Sequence, residues 1–213
     1  GTADVLNARS PEEMRQFHQA HYQPDYMTVV VAGGIGLDQT VEIVQHAFRP
    51  FAQPTVCPAS SPQATAPLTD VRRAALALPQ LQHGRLMMAW LAPGVDDLAT
   101  GCGLDLLATV LAGGRASRLV QELQEERQWV LELDGSFSLQ RDGSLVSLTC
   151  WLEPDLAPQV EQVMCDRIAD LAQQPITEAE LRRSQRLLCN DYAFSTETPG
   201  QIAGLYGYYG TIA

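Results

Sequence analysis

Residues 130–152 read VLELDGSFSLQRDGSLVSLTCWL. In the first run Leu131, Leu133 and Phe137 alternate with Glu132, Asp134 and Ser136. In the second, Val146, Leu148, Cys150 and Leu152 share one side. A period of two is the mark of a strand with one buried face. Asp142-Gly143 lies between the runs, so the stretch predicts an antiparallel hairpin.

Upstream, Val71–Leu78 and Arg85–Leu91 also read as strands. The second, RLMMAWL, is apolar on both faces and is expected at the sheet centre. Between it and the hairpin, Asp96–Leu111 reads as a mostly apolar helix ended by Gly113-Gly114, and Ser117–Arg127 as a second helix. Downstream, Val160, Val163, Met164, Ile168 and Leu171 form a helical stripe over 156–172. Thr177-Glu178-Ala179-Glu180 is a capping box opening a helix that runs to about Phe194. Thr198-Pro199 begins one more.

Near the start, Ser10-Pro11-Glu12-Glu13 combines an N-cap, a proline suited to the first helical position and a capping-box glutamate. Thr28–Ala32 (TVVVA) predicts a buried strand, and Leu37, Val41, Val44 and Phe48 a helical stripe. Residues 50–69 carry five prolines among Ser, Thr, Gln and Ala and read as a semi-rigid linker. The order of elements predicts an α+β fold, a two-layer sandwich of a mostly antiparallel sheet with helices on one face.

The chain has 213 residues and 46% apolar residues, enough to bury a core. Its net charge is −11 and every cation is arginine. No basic face is visible for a phosphate backbone or an anionic membrane, so nucleic acid is not an expected partner. No apolar run reaches the length that spans a bilayer. The five cysteines lie far apart without a CxxC pair and read as small apolar residues rather than a disulfide frame or zinc site. The compartment stays open.

Chemistry-bearing patterns are sparse. His18 and His21 sit at i and i+3 on a helix and could reach one ion, but a zinc site needs a third ligand. They read as helix-end side chains beside the C-terminal dipole. Neither HExxH nor HxxEH occurs, and His46 and His83 have no acidic or thiol partner at a recognisable spacing. No GxSxG motif occurs either. Asp96-Asp97 and Glu125-Glu126 read as solvated or helix-stabilising pairs. Gly113-Gly114-Arg115-Ala116-Ser117-Arg118 admits two readings: a turn whose open backbone approaches a peptide or phosphate, or a helix–helix turn with a glycine cap.

Taken in order, the runs Ser10–His18, His21–Met27 and Val29–Gly33, then Leu104–Leu111 with Gly113–Leu119, then Asp191–Ser195 with Glu197-Thr198-Pro199, resemble the zinc metallopeptidases of the M16 family, and its smaller bacterial branch most. That family includes pitrilysin, insulin-degrading enzyme and mitochondrial processing peptidase. The resemblance implies subunits of two similar α+β domains joined by a linker. Residues 1–49 would be the end of the first domain, 50–69 the linker, and 70–213 most of the second, non-catalytic domain. It implies zinc in the intact parent protein and none in this chain, because HxxEH lies upstream of the matched region. The family's arginine and tyrosine, seven apart, hold substrate near the metal; the matching positions here are Gln124 and Leu131, so that pair is absent. Gly113, Gly114, Arg115 and Arg118 match the site of a longer glycine-rich loop concerned with substrate handling.

The expected function is therefore a non-catalytic part of a zinc endopeptidase subunit, walling a chamber for peptides, with a second M16-like domain or subunit as partner and bacterial cytoplasm or periplasm as alternative locations. The alternative is a catalytically inactive scaffold or peptide-binding subunit of the same fold. The strand at 28–32, parted from its domain, is expected to pair with another copy or to stand in for the second domain's last strand.

Overall fold

The computed structural model describes residues 2–51 and 67–212. Most of the expected linker, residues 52–66, lies outside the described residues. The chain divides into two compact units, Gly1–Pro62 with Thr196–Thr211, and Gln63–Ser195 with Ile212–Ala213.

In the first unit, helix α1 (Ala3–Asn7) is capped by Thr2, a helix the sequence did not announce. Helix α2 (Pro11–His21) opens with the expected capping box: Ser10 N donates to Glu13 at 2.7 Å, and Glu13 N donates back to the Ser10 hydroxyl at 3.2 Å. A short 3₁₀ turn (Pro24–Tyr26) and helix α3 (Leu37–Phe48) follow. Helix α7 (Pro199–Ile212) belongs here too, and Thr198 and Gln201 bond reciprocally at its start. A side chain on Gly207 of α7 would touch Val30. Residues 28–32 form no strand, against expectation, and Val29 and Val31 are exposed. A β-branched segment becomes a strand only through a hydrogen-bonded neighbour, and no described strand runs beside it.

The second unit holds the core. Strands β1 (Gly84–Ala92), β2 (Val130–Ser138) and β3 (Ser144–Leu152) form an antiparallel sheet in the order β1-β3-β2. The hairpin is as read, and its second strand is the central one. Helices α4 (Leu98–Ala112), α5 (Ala157–Asp170) and α6 (Glu178–Phe194) complete the unit, and α4 lies against β2, β3 and α6. Leu119, Leu123, Leu148, Leu152, Val160 and Met164 are fully buried in one cluster with Cys150. Burial pushes the Cys150 thiol up to about 11, which makes it an inert packing group.

Four sequence expectations are corrected in this unit. Residues 71–78 form no strand: Val71 and Leu76 are exposed, and Arg73 is tied at 2.5 Å to Glu161 of α5. Strand β1 is at the edge of the described sheet, not its centre, pairing only with β3. Apolar residues on both faces report nothing about ladder neighbours, and Met87 is in fact 55% exposed. In β2 a bulge separates Val130 from Glu132. It turns Val130 inward and leaves Leu131 57% exposed, opposite to the expected alternation. The helix expected over 117–127 is a π-helix at Val120–Glu126, closed by the i→i+5 bond from Arg127 N to Glu122 O at 3.0 Å.

Two residues past the π-helix, Gln128 holds φ at +56°, a left-handed conformation unfavourable for a residue with a side chain. Gln128→Gly is expected to raise stability by about 0.5–1 kcal/mol. The urea midpoint measures it, and a lower midpoint would argue against a left-handed backbone there.

Candidate functional site

The glycine turn, the π-helix and the β2 bulge are consecutive along the chain, residues 113–132, and they hold most of the residues singled out above. Helix α4 ends at Gly113, whose N–H donates to Thr109 O at 2.8 Å. A Cβ on Gly113 would fall 2.5 Å from Thr109 O, so the turn closes too tightly for any side chain. Gly114 has φ +77°, which glycine adopts without cost. Its carbonyl accepts from both the backbone N–H and the hydroxyl of the fully buried Ser117, at 3.1 and 2.7 Å. The turn is thus hydrogen-bonded from within.

Both arginines of the turn are held by carboxylates. Arg115 donates to Glu125 at 3.0 and 2.9 Å, the far end of the π-helix. The guanidinium keeps the Glu125 carboxyl below its usual range. Arg118 forms a fork on Glu180 at 2.6 and 2.9 Å and reaches the carbonyls of Gln174 and Pro175. Glu180 is also the capping-box residue of α6, accepting from Thr177 N at 2.9 Å. Its carboxyl falls to about 2, chiefly through the Arg118 hydrogen bonds. The capping box was legible in the sequence; the partner 62 residues away was not.

Within the π-helix, Glu122 accepts from Arg167 of α5 and from Arg127 at 2.5 and 2.6 Å. The Arg167 hydrogen bonds lead in keeping its carboxyl low. Gln124 Nε2 donates to the carbonyl of Leu131 at 3.2 Å, so the side chain at one matched position caps the bulge at the other. Neither group is ionisable. The arrangement binds backbone and orders the wide helical turn.

The histidines lie elsewhere in the sequence. On α2, His18 stacks on Tyr22 with centroids 4.8 Å apart, and His21 lies 4.2 Å from Phe17. The structure brings His83 to Glu153 at 3.1 Å, a pairing invisible at a separation of 70 residues. Asp97 is the N-cap of α4, accepting from Thr100 N at 3.1 Å. Zinc asks for at least three converging donors, and among the described residues no three of His, Cys, Asp or Glu converge so. The donor set present does not fit the ion. Among the same residues no helix is long and apolar enough to cross a membrane.

A family model described as the peptidase M16 inactive domain matches residues 9–188. An uncharacterized zinc protease of Streptomyces coelicolor is 25% identical over 222 residues, covering 97% of this chain and 46% of the relative. Zinc protease PqqE of Helicobacter pylori is 22% identical over 214 residues, covering 98% of this chain and 47% of its own length. The chain therefore spans about half the length of these relatives. Among solved structures, a protease from Helicobacter pylori superposes with a TM-score of 0.84 at 19% identity, over 99% of this chain and 51% of that one, a likeness of fold.

Proposed function

The chain belongs to the peptidase M16 inactive-domain family, and from that premise we propose that it is the non-catalytic portion of a zinc endopeptidase, forming part of the wall around a peptide substrate. The match to the inactive-domain model over residues 9–188 carries this reading. Residues 1–49 would close a first domain and 70–213 would make most of a second, with a catalytic domain or subunit as the partner. The zinc and its general base would be the partner's contribution. Here the chain's own part is to bind and orient peptide.

Peptide binding would draw on extended backbone added to a sheet edge. The glycine turn is a supporting element in this reading: Gly113 and Gly114 shape it, while Arg115 and Arg118 hold it to Glu125 and Glu180. Gln124 and Leu131 offer no charged group to a substrate, which suits a half whose partner supplies the catalytic contacts.

The purified chain, dialysed against chelator and then offered zinc, is expected to retain far less than one ion per molecule and to leave a fluorogenic peptide uncleaved. Mixed with an M16 subunit bearing HxxEH, it is expected to form a complex that cleaves the peptide. Stoichiometric zinc with cleavage by the chain alone would overturn the proposal. A stable complex that neither binds nor cleaves peptide would instead assign a scaffold role.

A further inference from the structure

We propose that helix α6 carries a docking site for an acidic segment of a partner protein, in which a carboxylate of the partner closes on the guanidinium of Arg183. The site goes beyond the peptide-handling reading above and does not depend on it. Arg183 carries the inference. Its Nε and Nη2 are buried, and neither has a hydrogen-bond partner. A charged donor taken out of water is costly unless it is paired. Nε and Nη2 are the two donors of the fork with which arginine grips a carboxylate side-on. This chain closes that fork three times, Arg115 on Glu125, Arg118 on Glu180 and Arg167 on Glu122. Arg183 presents the same fork without an acceptor.

The carboxylates of α6 nearest to Arg183 are already engaged. Glu180, one turn before it, accepts from Arg118 and from Thr177 N, and Glu178 accepts from Arg182 at 2.7 Å. Two further arginines extend the site. Arg186 stands at i+3 from Arg183 and i+4 from Arg182, so the three share one side of the helix. Arg186 is exposed and has no ion pair or hydrogen bond among the described residues. The Arg182–Glu178 pair is 72% and 69% exposed, worth little, and a partner's carboxylate can compete for it. Arg182, Gln185, Arg186 and Cys189 line an open groove of about 480 Å³. A water takes up only about 30 Å³, so the groove has room for side chains. Arg183 as a whole is half-buried, which keeps its guanidinium near the surface. Turning its outer torsions towards a carboxylate surrenders no hydrogen bond of Nε or Nη2.

Charge complementarity selects the occupant. Arg182, Arg183 and Arg186 fall within five residues, in a chain whose net charge is −11. The whole molecule repels an acidic segment at long range, so only a local cluster of cations can hold one. A second copy would bring the full −11 against −11. A free inorganic anion would satisfy one fork and leave the groove open.

The test uses the whole chain, a labelled Glu/Ala/Leu helical peptide of about 18 residues and its glutamine analogue, with anisotropy as the readout. The glutamate peptide is expected to bind saturably and more weakly as salt rises, and the glutamine analogue at least about tenfold more weakly. Arg183→Met is the deciding variant, because methionine keeps much of the stem and matches arginine in helix propensity. It should weaken glutamate-peptide binding at least about tenfold. It should also raise the melting temperature of the chain alone by about 2–4 °C, since a buried charge without a partner is removed. A residue that merely supports the fold would lower the melt instead. Arg186→Gln should weaken binding about fivefold with an unchanged melt. An Arg183→Met chain that melts lower than the wild type, or that binds the glutamate peptide equally well, would overturn the proposal. So would equal binding of the two peptides. Inorganic phosphate displacing the peptide at equal concentration would give the arginines to a free anion, and self-association abolished by Arg183→Met would give them to a second copy; either result also overturns it.

Discussion

Arg118→Ala is expected to lower the unfolding free energy by about 3 kcal/mol, because it strips one partner from a half-enclosed, two-bonded ion pair. The two side chains are only 19% and 18% exposed, so water replaces little of what is lost. One guanidinium joins three pieces: the turn after α4, the carbonyls at Gln174 and Pro175, and the first turn of α6 through Glu180. Arg118→Lys should recover less than half, since an ammonium cannot reproduce the fork. The pair also predicts an acid dependence. Its carboxyl is depressed to about 2 from an ordinary 4.5, so the stability it contributes is full above the higher value and lost as pH falls towards the lower. The shift is equivalent to roughly 3 kcal/mol, an order-of-magnitude figure. Urea denaturation at neutral and at acid pH reads both effects. The wild type should lose stability between pH 4.5 and 2 more steeply than Arg118→Ala. Parallel curves would show that the pair contributes nothing. A variant of unchanged stability that loses peptide affinity would instead place Arg118 among the substrate contacts.

The parts of the fold legible in the sequence are those whose signal is local. The two capping boxes, at Ser10 and Thr177, need only four residues each, and both form as read. The hairpin needs two alternating runs and a turn, and β3 shows the predicted inward set Leu148, Cys150 and Leu152. What the sequence hid depends on neighbours distant along the chain. Thr28–Ala32 has the composition of a strand and no ladder. The alternation in β2 breaks at Leu131 because a bulge inserts one residue, and a bulge has no residue-type signature there. The π-helix is equally silent, since Leu119, Val120 and Leu123 keep a spacing that suits an α-helix. Its wide turn is held from outside, by Gln124 on Leu131 and by Arg167 and Arg127 on Glu122. The candidate site follows the same rule. The glycines of the turn were visible by type, but that both arginines are occupied by Glu125 and Glu180 emerges only from the folded chain.

Gly135→Ala tests the packing on which the sheet depends, with an expected loss of about 2–3 kcal/mol. Gly135 lies on β2 opposite Leu148 of the central strand. A Cβ built there would stand 2.8 Å from Ala112 Cβ, 3.0 Å from Ala108 O and 3.1 Å from Leu148 Cδ2. Two of these neighbours belong to α4 and one is backbone, so no rotamer change relieves all three. The absence of a side chain is what lets α4 lie this close to β2. The strand or the helix must shift, and valine should cost more than alanine. Ala112→Gly removes the shortest of the contacts, at its own helix-propensity cost of up to about 1 kcal/mol. In the double variant part of the loss should return, a coupling of about 1 kcal/mol in a double-mutant cycle. Full recovery is not expected, because the contact with Ala108 O persists. Urea midpoints at constant slope measure all four corners. A Gly135→Ala protein as stable as the wild type, or strictly additive losses, would mean that α4 and β2 do not meet at this glycine.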